Sequence, residues 1–175
     1  ALRFGDEVLV ENARLGMRFA GQAGFDRELA LLGSETSSHD TRWEQPWGER
    51  RIVHDRHQEL LARVADAAGR RFDLRVRVFD DGVGFRYEFP RQDGLETVQI
   101  VDELTEFALP EGSTAWWIPG RRYNRYEYLY RSGGLDEIET AHTPFTVRTP
   151  RGTHLTIHEA ALVDYAAFVL DQRRP

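Results

Sequence analysis

The sequence contains no cysteine, no lysine and no unbroken apolar run of membrane-spanning length, and these absences restrict what the chain can do. Without cysteine there are no disulfides, no thiolate nucleophile and no cysteine-based zinc site. Without about 18 consecutive apolar residues there is no transmembrane helix, and the first residues carry neither the basic n-region nor the apolar h-region of a signal peptide, although one could have been removed. All 23 basic residues are arginine, a compositional bias that no single site requires. Concentrated positive charge is missing too. With a net charge of −6 and no basic run, neither nucleic acid nor an anionic membrane is an expected partner, because both need a positive field to displace counterions. Gly-rich phosphate loops, HExxH, GxSxG and EF-hand patterns are all absent.

What is present is a chain of 175 residues, 41% hydrophobic. That is enough for one sizeable core but short of a catalytic (β/α)8 barrel, which takes about 250 residues. The clearest local pattern is a hairpin. Phe72, Leu74, Val76 and Val78 alternate with Asp73, Arg75 and Arg77, which predicts a strand with arginines on one face and apolar residues on the other. After Asp80-Asp81-Gly82, a turn whose glycine can take positive φ, alternation resumes at Val83, Phe85, Tyr87 and Phe89. A second hairpin is predicted from Phe145–Thr149 and Thr153–Glu159 around the turn Pro150-Arg151-Gly152. Further strands are expected at Glu7–Val10, Leu95–Val101 and Leu162–Leu170. The segment His57–Ala68 fits a three-turn helix by spacing, but Ala67-Ala68-Gly69-Arg70 immediately before the Phe72 strand also fits a hairpin, with Leu60, Ala62 and Val64 on one face. Short strands separated by Gly, Pro and Asp indicate an all-β antiparallel sandwich rather than βαβ units.

Several polar and aromatic groups stand out. Counting in twos from Leu155 through Ile157 reaches Glu159, so a strand persisting to its end puts a carboxylate in line with a buried face, where it needs a cation, a donor or an exit to solvent. If the strand stops at His158, Glu159 is an ordinary solvated acid. The adjacent His158 could share a proton with it, although neighbours on a strand face opposite ways. All four tryptophans lie in two proline-punctuated segments, Trp43–Gly48 and Trp116–Gly120; indole stacks on sugar rings, yet loop tryptophans also serve as core plugs or interface anchors. Tyr123, Tyr126, Tyr128 and Tyr130 form an aromatic strip around Glu127, and alternation would bury Tyr126, Tyr128 and Tyr130 together. His54 and His57 are close in sequence, a weak sign of a metal.

Ordered along the second half, Trp116-Trp117-Ile118-Pro119-Gly120, Asn124-Arg125-Tyr126-Glu127-Tyr128-Leu129-Tyr130, Ala141-His142-Thr143-Pro144 and His158-Glu159-Ala160-Ala161-Leu162-Val163-Asp164-Tyr165 resemble the N-terminal domain of glycoside hydrolase family 97. The runs Asp80–Tyr87 and Asp102–Phe107 are similar to it as well. The resemblance covers roughly residues 40 to 170. It implies a single β-sandwich domain over 1–175, of the galactose mutarotase type, trimmed at both ends and packed in its parent on a (β/α)8 barrel, with a further C-terminal β-domain. It also implies an exo-acting bacterial α-glucosidase or α-galactosidase, periplasmic or secreted, acting on α-linked oligosaccharides.

The family holds a calcium ion with glutamates, one from the N-terminal domain, and the matching position here is Glu159. His158, Tyr126, Glu127, Trp116 and Trp117 are then candidates for substrate or domain-interface contacts. The two catalytic carboxylates belong to the barrel, so this chain alone is expected to be inactive and to bind calcium weakly or not at all. A trimmed sandwich with uncovered edges would favour self-association into a homo-oligomer. Two other readings remain: a carbohydrate-binding module using the tryptophan loops, whose glycan binding would vanish on Trp117→Ala, and a mutarotase-like sugar epimerase.

Overall fold

The computed structural model describes residues 1–121 and 126–172. Its strands, in chain order, are β1 (Leu2–Phe4), β2 (Glu7–Val10), β3 (Met17–Phe19), β4 (Gln22–Phe25), β5 (Ala30–Glu44), β6 (Ile52–Ala65), β7 (Arg71–Val78), β8 (Val83–Glu88), β9 (Ile100–Glu103), β10 (Thr114–Trp117), β11 (Arg131–Gly134), β12 (Thr140–His142), β13 (Phe145–Arg148), β14 (His154–Ile157) and β15 (Val169–Asp171). A single 3-10 turn, Leu135–Glu137, is the one helical element among the described residues. All strand pairs are antiparallel. No helix among these residues is long and apolar enough to cross a membrane.

The chain forms two compact units, residues 15–105 and residues 1–14 with 106–175. In the first, a four-stranded sheet ordered β5-β6-β7-β8 faces a three-stranded sheet ordered β4-β3-β9. Met17, Phe19, Phe25 and Phe72 are buried between the sheets, with Val64, Tyr87, Leu95, Val98 and Ile100 packed around them. The period-two pattern explains this arrangement. Phe72 opposes Val64, Leu74 opposes Ala62 and Tyr87, and Val76 opposes Leu60 and Phe85, so one face of three adjacent strands is apolar. Burial along that face is graded: Phe72 is in the core, whereas Val78 and Val83 at the far end of the hairpin are exposed. The opposite face carries Glu59, Arg75, Arg77, Arg86 and Glu88 in one ion-pair network.

The second unit contains the sheet β11-β10-β13-β14 and the pairs β12-β15 and β1-β2. Ala115, Trp117, Ile138, Ala141, Phe145, Val147 and Ile157 form its core, joined by Phe168 and Leu170 beside and within β15. Glu7 in β2 accepts hydrogen bonds from the hydroxyls of Thr149 and Thr153, each 2.5 Å long, across the β13–β14 turn. Those two donors hold its carboxyl below the usual range. Each unit is thus built of antiparallel sheets around its own apolar core, as expected for an all-β sandwich.

Several sequence expectations change in detail. Of the two readings open for His57–Ala68, the hairpin strand that the family resemblance favours holds, because β6 runs through Ala65 and pairs with both β5 and β7. Only Val169 and Leu170 of the Leu162–Leu170 segment are strand, in β15, and the Leu95–Val101 strand is displaced to Ile100–Glu103. Gly152 takes φ 92 in the β13–β14 turn, whereas Gly82 does not enter the positive-φ region. Residues 126–130 form no strand. Tyr126 and Tyr130 are exposed there rather than buried, since no neighbouring strand lends them a core face. Tyr123 lies outside the described residues.

Candidate functional site

The chemistry-bearing residues of the second half gather around the two-stranded ladder β12–β15. β12 is held on its other side by Ile118–Gly120: the His142 N–H donates to the Ile118 carbonyl at 2.9 Å, the Thr140 hydroxyl donates to the Gly120 carbonyl at 3.1 Å, and Pro119 bridges to Ala141. These contacts join Trp117-Ile118-Pro119-Gly120 to Ala141-His142. The first anchors β10 in the core and then lays its continuation beside β12. Gly120 is required by close approach, because a Cβ there would meet Val169 Cγ1 at 2.5 Å.

His142 pairs with Val169 at one end of this ladder, and Thr140 pairs with Asp171 at the other. Two candidate residues are tethered just beyond the His142 end. The Phe168 N–H donates to Glu159 Oε1 at 3.2 Å. The Tyr126 hydroxyl donates to the Thr143 carbonyl at 2.6 Å, and its ring lies 4.7 Å from that of His142. One end of one ladder therefore holds a carboxylate, an imidazole and a phenol, delivered by three segments distant in sequence. His142 was not singled out beforehand as a site residue; its signal was its place in the Ala141-His142-Thr143-Pro144 motif.

β14 ends at Ile157, so Glu159 is not the last inward position of a strand. It is a half-buried acid in the loop after β14, held by one backbone donor, and no arginine among the described residues pairs with it. A carboxyl group that accepts one amide hydrogen bond has further lone pairs to offer. Its hard oxygen fits calcium by donor type, but calcium takes six to eight oxygen ligands. Among the described residues, no two further acids or histidines converge on Glu159. The donor chemistry thus suits the ion, and the number of donors requires ligands from elsewhere.

The remaining candidates separate. His158 and Glu127 are exposed. Trp116 is half-buried on the outer face of β10, with its indole stacked 6.2 Å from the His154 ring and the Arg148 guanidinium 5.7 Å from its centroid. Trp117 is 3% exposed and belongs to the core. Its inward position on β10 leaves no indole face for a sugar, so Trp117→Ala would test packing rather than glycan contact. Trp47, at 79% exposure on the β5–β6 turn, is the tryptophan that solvent reaches most freely. His54 points to Asp40, with 2.7 Å between His54 Nε2 and Asp40 Oδ1, whereas His57 sits on the other face of β6.

Comparison with known proteins bears on the same architecture. The family profile described as "Glycosyl-hydrolase 97 N-terminal" matches residues 1–175. A protein named "Probable retaining alpha-galactosidase" from Streptomyces bingchenggensis is 31% identical over 183 residues, covering 97% of this chain and 28% of that protein. A glycoside hydrolase family 97 enzyme from Pseudoalteromonas sp. strain K8, solved in complex with panose and again with acarbose, superposes with a TM-score of 0.94 at 46% identity. That match covers 98% of this chain and 27% of the enzyme. A structure described as beta-arabinopyranosidase shares the fold, with a TM-score of 0.81 at 24% identity. The chain spans between a quarter and a third of the length of the relatives it matches. On this match the chain belongs to the N-terminal domain family of the glycoside hydrolase family 97 enzymes.

Proposed function

We propose that the chain is the non-catalytic N-terminal domain of an exo-acting α-glycoside hydrolase, an α-glucosidase or α-galactosidase, and that it packs on the catalytic barrel of the same polypeptide. In this reading it gives Glu159 to a calcium site that the barrel completes. The observation that carries the reading is the placement of Glu159. Its carboxylate is aimed by the Phe168 amide at the end of the β12–β15 ladder, with no cation among the described residues to neutralise it. The names of the relatives support the substrate class: one is called an α-galactosidase, and another was solved with panose and with acarbose, both α-linked saccharides.

Bound calcium would supply a fixed positive charge beside the reacting sugar. The chain's own residues supply position. Phe168 fixes Glu159, β15 fixes Phe168, and the Gly120 contact with Val169 fixes β15. Tyr126, held by the Thr143 carbonyl and packed on His142, presents an aromatic edge at the same end of the ladder. General acid and base or nucleophile roles fall to barrel carboxylates, whose separation decides between retention, at about 5 to 5.5 Å, and inversion, at about 6.5 to 9.5 Å.

Hydrolysis of nitrophenyl α-glucoside and α-galactoside by the full-length enzyme tests the reading. Glu159→Gln should raise the calcium concentration for half-maximal rate at least about tenfold, with activity recovering in excess calcium. A variant with unchanged calcium dependence, or a full-length protein inactive on every α-glycoside, would contradict it.

A second reading rests on the exposed Trp47 and half-exposed Trp43 at the β5–β6 turn: a carbohydrate-binding surface separate from catalysis. Glycan binding by this chain alone that is lost on Trp47→Ala would favour it.

A further inference from the structure

The polar face of the β5-β6-β7-β8 sheet carries a cluster that the glycosidase reading does not use. His39 on β5 is directly opposite His57 on β6, and Glu59 follows two residues later on the same face. One ligand atom from each of His39, His57 and Glu59 can be chosen so that all three lie within 4.8 Å of one another. His57 is 4% exposed although it belongs to the outward face, because His39 stacks on it at 4.7 Å and Phe79 covers it at 5.0 Å.

His57 is already oriented as a metal-binding histidine is. Its Nδ1 lies 2.5 Å from Asp55 Oδ1. A carboxylate partner makes Nδ1 the protonated nitrogen and leaves the lone pair on Nε2. That Nε2 is buried and has no hydrogen-bond partner. Buried polar atoms are nearly always satisfied, so an orphan nitrogen on a histidine that belongs to a His-His-Glu cluster points to a missing ligand. The carboxylate–histidine pair is the usual outer support of a metal-bound imidazole.

We propose that His39, His57 and Glu59 bind a divalent transition-metal ion, with zinc as the best fit, supported by Asp55. Two imidazoles and a carboxylate suit zinc by donor type and leave a fourth position for water. Ligand atoms sharing one zinc ion stand roughly 3.4 Å apart, so atoms that already lie within 4.8 Å of one another close on an ion with only a small movement. The mobile partner is His39, which is exposed and whose Nε2 lies 3.0 Å from Ser37 Oγ. Its ring turns out of the stack on binding. Glu59 accepts from Arg77 Nε at 2.8 Å and from Arg75, which keeps it ionised and leaves further lone pairs for the ion. The two guanidiniums weaken attraction for a cation and set the affinity nearer micromolar than nanomolar. This site lies in residues 15–105 and shares no residue with the proposed calcium site, so either proposal can fail without the other.

Calorimetric titration of zinc into the chelator-stripped chain is the test, with circular dichroism confirming that each variant is folded. The expected result is one ion per chain, affinity reduced at least about tenfold by His39→Ala and roughly 10–100-fold by Asp55→Asn, and no change on His54→Ala, which lies on the opposite face of β6. The imidazole proton signals of His39 and His57 should shift together on saturation. His57→Ala removes a buried ring, so the exposed His39 carries the decision. Binding only at millimolar zinc, an affinity unaltered by His39→Ala, or binding lost on His54→Ala would overturn the proposal.

Discussion

Among single residues, Glu159, for which we propose a metal-binding role, contrasts with Glu88, whose partners are all within its own sheet. Glu88 is enclosed by guanidiniums: Arg75 Nε donates to it at 2.7 Å and Arg86 Nε at 2.7 Å, and these bonds outweigh burial and bring its carboxyl down to about 2. A carboxyl depressed in the folded state stabilises the fold above its ordinary value and loses that contribution as pH falls from about 5 towards 2. Replacing Arg75 by Met should therefore cost about 2 kcal/mol at neutral pH, and urea titrations should show the difference from wild type narrowing below about pH 4. A constant difference across that range would mean that Arg75 acts through packing alone. Phe25, 2% exposed between the two sheets of residues 15–105, serves as the apolar comparison. Phe25→Ala should cost about 3 to 5 kcal/mol by denaturant melting, with little dependence on pH.

Among elements, the link between Gly120 and Glu159 is the most exposed to test. Gly120→Ala must push Val169 Cγ1 away from 2.5 Å, which loosens β15 against β12 and moves the Phe168 amide that orients Glu159. Expected are a stability loss of about 1 to 3 kcal/mol and, in the full-length enzyme, a higher calcium concentration for half-maximal rate without any change at a metal ligand. Unaltered calcium titration in a folded Gly120→Ala enzyme would uncouple β15 from the site.

The same elements show what the sequence could and could not reveal. β7, β8 and β13 were legible because each alternates polar and apolar residues in period two. β5 was missed, since LLGSETSSHDTRWE is exposed at nearly every position and has no apolar face to betray its period. β6 looked helical because Leu60, Leu61 and Val64 also fit a 3.6 period; its hydrogen bonds to strands on both sides decide against a helix. The alternation that would carry Glu159 inward does not apply, since β14 stops two residues earlier, and its candidacy rests on its motif. His142 and the His39–His57 cluster depend on strand register, which local sequence does not specify.

For the whole molecule, the chain has two units of antiparallel sheets, each around its own core. Its fold matches about a quarter of the Pseudoalteromonas family 97 enzyme, and among the described residues Glu159 has no companions to complete an oxygen cage. The central claim is that Glu159 is one ligand of a calcium site finished by another domain. Calorimetric titration of calcium into three proteins tests this most directly: the full-length enzyme, its Glu159→Ala variant and residues 1–175 alone. The account predicts tight binding by the first, binding weakened at least about tenfold in the second and none at micromolar calcium in the third. Equal affinity in the full-length enzyme and its Glu159→Ala variant, or micromolar binding by residues 1–175 alone, would contradict it.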